Sequence, residues 1–288
     1  MGPVGFIGVG AMGSAIASRL VDSYELYVSD KNPAAARELV KRGATFASTD
    51  SVAAGCRFVF LCLPGPVDVT GLLFGSTGLA SRLAPGSIVI DTTTSTPTMD
   101  AEIAAALRES DVEFADAPIG GGVRRAREGT AVLMVGAAPE VFAKIKDLLL
   151  AITQDVIHVG PVGTGHAMKL VNNLLNACNR FAALETVQLG QVAGLNQDVI
   201  IDVLNKSSGR NYATEYTFPQ LLSGESYRPQ GFTLELMRKD IRLANELAAS
   251  LGHRTPIGNM IQTFAEAAIA RFGGDADQSQ MMAEWYEA

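Results

Sequence analysis

A short apolar run, Val4 to Val9, leads into Gly8-x-Gly10-x-x-Gly13 and then into helix-compatible residues, and no other feature of the 288-residue chain restricts its fold as tightly. Each glycine has its own task. The first permits a tight turn, the second lets backbone approach a pyrophosphate, and the third lets the helix lie close on the strand, whose following helix start attracts an anion. Alone the pattern is weak, because glycine turns recur in chains rich in small residues and this one holds 29 glycines. The next apolar run, Glu25 to Ser29, ends in Asp30, at about the 20-residue spacing where a carboxylate accepts hydrogen bonds from both hydroxyls of a ribose. A carboxylate also repels a 2′-phosphate. The two halves together predict a site for NAD, with NADP disfavoured, held by Gly8, Gly10, Ala11, Met12, Gly13 and Asp30. Lys31 softens that selection, and the competing use of Asp30 is as a cap for a helix starting at Asn32-Pro33.

Alternation then continues. Pro33 to Arg42 reads as helix, Ala44 to Ala47 as a short strand, and Arg57 to Leu63 as a buried parallel strand ending in Pro64-Gly65-Pro66. Ser87 to Asp91 is another strand, followed by the hydroxyl-rich turn Thr92 to Pro97. Ligands of open α/β sheets bind outside the carboxyl ends of the strands, which makes Leu63, Pro64 and Thr94 cofactor candidates; ordinary turn chemistry would give the same residues. Glu113 to Pro118 is a further strand running into Ile119-Gly120-Gly121-Gly122. Three consecutive glycines expose backbone N–H groups that suit a carboxylate or other oxyanion, and a mobile turn is the other reading. Ala131 to Val135 and Val156 to Val159 complete the sheet, with a helix from Pro139 to about Ala151 between them.

From residue 163 the pattern is helical throughout. The expected division is residues 1–162, an α/β dinucleotide-binding domain with a doubly wound sheet, and residues 163–288, an all-α domain, joined by a long central helix. That helix, Gly163 to Gly194, is nearly apolar all round and is therefore expected to be buried. Lys169 and Asn173 share one face of it, a turn apart. Further helices are expected over Asn196–Lys206, Tyr216–Leu222, Leu234–Leu251 and Thr255–Arg271.

The net charge of -7 disfavours nucleic acid as a partner. Cys56, Cys62 and Cys178 lack paired spacing, and His158, His166 and His253 lack metal-ligand spacing, so neither a disulfide framework nor a metal site is expected. The first 21 residues read as neither signal peptide nor membrane span, being broken by Gly5, Gly8, Gly10 and Gly13. A cytoplasmic enzyme without membrane association is the expectation.

Five stretches in order, GFIGVGAMG at Gly5–Gly13, DTTTSTP at Asp91–Pro97, DAPIGGG at Asp116–Gly122, GTGHAMKLVNN at Gly163–Asn173 and FTLELMRKDIRLA at Phe232–Ala244, resemble the β-hydroxyacid dehydrogenases, the group that holds 3-hydroxyisobutyrate dehydrogenase. The resemblance implies a Rossmann domain, a helical substrate and oligomerisation domain, and a homodimer or homotetramer. It makes Lys169 the general acid/base, with a pKa lowered by desolvation, and gives Asn173 the task of orienting substrate. It also puts Gly120, Gly121 and Gly122 at the substrate acid group and Lys239 at the cofactor and substrate mouth. One departure stands out: Gly120 replaces a serine usual in relatives, which would admit a sulfonate or bulkier acid, with Arg124 or Arg125 adding charge if either turns inward. An imine reductase generally lacks the lysine, and a non-catalytic nucleotide-sensing scaffold would be expected to lose the lysine or the glycine turn.

Overall fold

A computed structural model describes residues 2–76, 78–222 and 231–285. Contacts divide the chain into two compact units, residues 1–169 and 170–288.

The first unit alternates strands and helices: β1 (Val4–Ile7), α1 (Ala11–Ala17), β2 (Leu26–Ser29), α2 (Arg37–Lys41), β3 (Thr45–Phe46), α3 (Thr49–Gly55), β4 (Phe58–Leu61), α4 (Pro66–Phe74), β5 (Ile88–Asp91), α5 (Pro97–Arg108), β6 (Glu113–Asp116), β7 (Ile119–Gly120), α6 (Gly122–Glu128), β8 (Val132–Gly136), α7 (Pro139–Ile152) and β9 (Asp155–Gly160). The sheet runs β3-β2-β1-β4-β5-β6-β8-β7, with β9 on β8. Strands β1 to β6 are parallel, and β8 opposes β6 and β7. The strand order turns back on itself between β1 and β4, which opens a crevice at their carboxyl ends.

Both faces of this sheet are covered, which is why its strands are unbroken apolar runs. Successive side chains point to opposite faces. Val4, Phe6, Phe58, Phe60, Ile88 and Ile90 pack with Ile16, Ile145 and Leu148 on one side. Ile7, Val59, Leu61 and Val89 pack with Val52, Leu73, Ile103 and Leu107 on the other. The helix expected over Pro33–Arg42 is divided, a 3-10 turn over Pro33–Ala36 preceding α2. Asn32 caps that turn by accepting from the Ala34 N–H, so Asp30 is not the cap.

The helix α8 (Thr164–Val192) starts in the first unit and continues into the second, followed by α9 (Gln197–Asn205), a π-helical turn over Ala213–Thr217, α10 (Phe218–Leu222), α11 (Leu234–Ser250), α12 (Pro256–Phe272) and α13 (Gln278–Glu284). Phe181, Leu184 and Val187 of α8 form the second unit's core with Met237, Ile241, Ile261 and Ala265. Sequence reading missed α13, which is too short to show an apolar period; Asp277 starts it by accepting from the Ser279 N–H. The expectation that α8 is buried all round is corrected here, since Val171 is 56% and Leu175 61% exposed. A single chain covers only part of its circumference. Val171 and Leu175, with Ile257, Met260 and Phe264 of α12, line an open apolar groove of about 800 Å³ within the second unit. Among the described residues no helix is long and apolar enough to cross a membrane.

Candidate active site

The glycine turn connects β1 to α1. Gly8 has φ +90°, a left-handed conformation suited to glycine, and a Cβ on Gly13 would run into the Gly8 carbonyl oxygen. Around Gly10, by contrast, the space is open: a Cβ there would meet nothing within 4 Å. No side chain caps the start of α1. An open approach to an uncapped helix start fits a pyrophosphate. At the end of β2 the half-buried Asp30 accepts from the Val9 N–H with Oδ2 and the Asn32 N–H with Oδ1, both at 2.8 Å, which fixes its carboxylate beside the turn. Leu63 and Pro64 follow β4, and Thr94 follows β5. Sequence reading missed Thr93 and Thr92: Thr93 Oγ1 accepts from the Leu63 N–H at 2.9 Å, and Thr92 Oγ1 donates to the Leu61 carbonyl at 2.7 Å, locking the two strand ends together.

Lys169 is half-buried on α8, and its Nζ donates to the Ile119 carbonyl at 2.6 Å. That carbonyl belongs to the residue next to Gly120, so the structure brings the lysine to the glycine segment. The segment itself is not the uniform bare ribbon expected. Gly120 is drawn into β7, paired with Val132 of β8, and only Gly121 and Gly122 lie beyond it, with φ +111° and +78°. Pairing with β8 takes Gly120 into the sheet because Ile119 is a buried strand residue. Arg124 is exposed and paired with Glu128 at 2.9 Å. Arg125 is half-buried, donates to the Thr130 carbonyl at 2.6 Å and lies against Gly121.

Beneath these groups is a buried polar cluster that the sequence did not single out. Asp91, Asp100, Asp116 and His166 are all fully buried. His166 Nδ1 pairs with Asp100 Oδ2 at 2.7 Å, and Asp116 accepts from the N–H groups of Gly163 and His166 at 2.7 and 2.8 Å. Burial pushes the Asp91 and Asp116 carboxyls up to about 6. Burial alone would lower the His166 imidazole, but the carboxylates of Asp100, Asp91 and Asp116 outweigh it and hold the group at about 9. Candidate ligand atoms of Asp91, Asp100 and His166 lie within 4.8 Å of one another. A protonated imidazole has no lone pair for a metal, so an ion-pair cluster describes them better than a cation site. The one available signal was two aspartates, Asp91 and Asp116, ending apolar strands.

Within the second unit Asn173 Nδ2 donates to Asp240 Oδ2 at 2.6 Å, and Lys239 Nζ lies 3.4 Å from Asp240 Oδ1. Asp240, also unflagged by the sequence, is buried, and the Lys239 side chain is only 18% exposed. Lys239 is therefore not the solvated helix charge that its neighbours alone would suggest.

Residues 3–160 match the family described as the NAD binding domain of 6-phosphogluconate dehydrogenase, and residues 163–285 the NAD-binding domain of NADP-dependent 3-hydroxyisobutyrate dehydrogenase. The chain is 33% identical to 2-(hydroxymethyl)glutarate dehydrogenase of Eubacterium barkeri over 98% of its own length and 94% of the relative's. It is 35% identical to an NAD-dependent L-serine dehydrogenase of Pseudomonas aeruginosa over 90% of each chain. A solved Mycobacterium tuberculosis 3-hydroxyisobutyrate dehydrogenase with L-serine superposes with a TM-score of 0.88 at 26% identity, covering 99% of both chains. An imine reductase from Myxococcus stipitatus, at 16% identity, shares the fold. With its glycine turn, its lysine-bearing central helix and relatives that match along nearly its whole length, the chain belongs to the β-hydroxyacid dehydrogenase family of NAD(P)-dependent oxidoreductases.

Proposed function

We propose that this chain oxidises the primary alcohol of a short β-hydroxy acid of the 3-hydroxyisobutyrate type, with Lys169 as general acid/base and NAD as the preferred cofactor. The observation that carries the reading is the half-buried Lys169 amine held at the Ile119 carbonyl beside the Gly120–Gly122 segment. NAD, when bound, supplies the hydride acceptor. As the neutral amine, Lys169 takes the hydroxyl proton while the C–H bond breaks, and in reverse it returns the proton. Asn173 lies one turn further along the same face of α8, and Asp240 fixes its amide, leaving the second Nδ2 hydrogen for a substrate oxygen. The backbone of Gly121 and Gly122 receives the acid group, with Gly120 beside it at the end of β7, and Lys239 serves the mouth that cofactor and substrate share. Gly8, Gly10, Ala11, Met12 and Gly13 hold the pyrophosphate, Asp30 the ribose, and Leu63, Pro64 and Thr94 line the cofactor's path. The carboxylate of Asp30 selects against NADP.

A second reading, a bulkier diacid or a sulfonate as substrate, is favoured by Gly120 in place of serine and by Arg125 lying against Gly121. The relative named for 2-(hydroxymethyl)glutarate supports the diacid form. The helical unit is where copies of the chain meet as a homodimer or homotetramer, supported by its apolar groove. The cytoplasm is its compartment, supported by three cysteines that remain thiols.

The test is a panel of 3-hydroxy carboxylates, diacids and sulfonates scored by NADH absorbance, with NADP as the competing cofactor, on wild type and Lys169→Ala. Wild type turns over one class with NAD ahead of NADP. Lys169→Ala loses at least about 100-fold in kcat, the scale of a missing proton-transfer group, while its NADH affinity stays within about twofold. Retained turnover removes Lys169 from the mechanism, and NADP ahead of NAD overturns the role of Asp30.

A further inference from the structure

The start of α8 is capped in an unusual way. In an ordinary capping box, the side chain before the helix accepts from the N–H three residues on, and the side chain at that position accepts from the N–H before the helix. Here the residue before the helix is Gly163, which has no side chain to offer. Both bonds are made instead by one carboxylate from the end of β6: Asp116 Oδ1 accepts from Gly163 N–H and Asp116 Oδ2 from His166 N–H. The fit is close enough that glycines surround it. A Cβ on Gly165 would lie 2.7 Å from Asp116 Oδ2, and one on Gly136 would strike Asp116 Oδ1.

The same short stretch of chain then grips α8 a second time. Three residues beyond Asp116, across Ala117 and Pro118, the Ile119 carbonyl accepts from Lys169 Nζ, and Lys169 is three residues beyond His166 on the helix. Two grips from one stretch fix both the axial position and the rotation of the first turns of α8.

We infer that Asp116 is a positioning residue for the reaction: by capping α8 from the neighbouring strand end, it sets the rotation at which the Lys169 amine meets the Ile119 carbonyl. This rests on Lys169 being the acid/base. Around the Asp116 carboxylate the titratable neighbours are His166 on α8, Asp100 on α5 and Asp91, its register partner on β5. Asp116→Asn keeps the volume but offers one acceptor and one donor where two N–H groups point, so the first turn of α8 is displaced rather than unfolded.

Asp116→Asn and Lys169→Ala are compared with wild type on 3-hydroxyisobutyrate, or on the best acid of the panel. Activity is expressed per NADH-binding site, so that misfolded protein does not count. Asp116→Asn lowers kcat at least about tenfold, part of what a positioned proton-transfer group contributes. NADH affinity stays within about twofold, and the rising limb of kcat with pH in oxidation is displaced. A purely structural role lowers the melting temperature and the number of sites but moves neither kcat per site nor that limb. Wild type supplies a second measurement that needs no variant. In the reducing direction, with methylmalonate semialdehyde or the aldehyde of the best acid, Lys169 donates a proton, so its own protonation does not slow the step. Protonation of Asp116 weakens the cap, and kcat of reduction falls as pH is lowered through about 6. A flat profile there, or wild-type kcat per site and an unmoved oxidation limb in Asp116→Asn, overturns the inference. Should Lys169→Ala keep its turnover, the catalytic reading itself fails; a dead Lys169→Ala beside an unaffected Asp116→Asn removes only the positioning role.

Discussion

Gly120 shows how the type of a residue can be plain in a sequence while its conformation is misread. Its lack of a hydroxyl is visible in the sequence; its place in β7 opposite Val132 is not. The structure also says what a side chain there would meet. A Cβ at this position lies 2.9 Å from the Met134 Cε, the far end of a flexible side chain that can shift at little cost. Gly120→Ser should therefore fold as well as wild type, with kcat/KM moved by about tenfold toward simple monocarboxylates such as 3-hydroxyisobutyrate, the worth of one hydrogen bond to a charged group. An unchanged substrate profile would show that this glycine sets no preference. Lys169, Asn173 and Asp30 were legible because each stands at a local spacing, a helical turn or the distance from a glycine turn. Asp116 and His166 were not, because their partners are 47 to 66 residues away in the chain.

At the scale of the element, α8 is held at its start by buried charge. The folded-state pKa of His166, about 9, lies above the 6.5 of a free imidazole, so its contribution to stability is complete below about 6.5 and is lost as pH rises through about 9. Asp91 and Asp116, raised from 3.8 to about 6, act in the same sense lower down, their share being complete below 3.8 and lost through about 6. The melting temperature of wild type is expected to fall by several degrees between pH 6.5 and 9, and His166→Gln to flatten that decline. An equal decline in the variant would assign it to other groups. The length of α8 was legible from its apolar run, with observed bounds Thr164–Val192 inside the expected Gly163–Gly194. Its exposure was not, since periodicity reports which positions are apolar and not which of them a neighbour covers.

For the whole molecule, the open groove of the helical unit carries a prediction about assembly. Val171 and Leu175 on α8 and Ile257 on α12 are more than half exposed, an apolar surface of the kind that marks an interface. Val171→Asp and Leu175→Asp together should shift sedimentation toward the monomer, with the helical content of wild type kept. A double variant that sediments like wild type would place the contact elsewhere. What the chain determined through its sequence alone was the local part: strand–glycine–helix order, a doubly wound sheet with Asp30 just after its second strand, and a helical second half carrying Lys169 and Asn173. These follow from turn geometry, side-chain period and apolar runs, all of which act over a few residues. The tertiary structure decided which strand end caps α8, which carbonyl receives the Lys169 amine, and that Asp240 lies between Asn173 and Lys239. Those pairings join groups distant in the chain, and a buried polar atom takes whichever partner packing brings within hydrogen-bond reach.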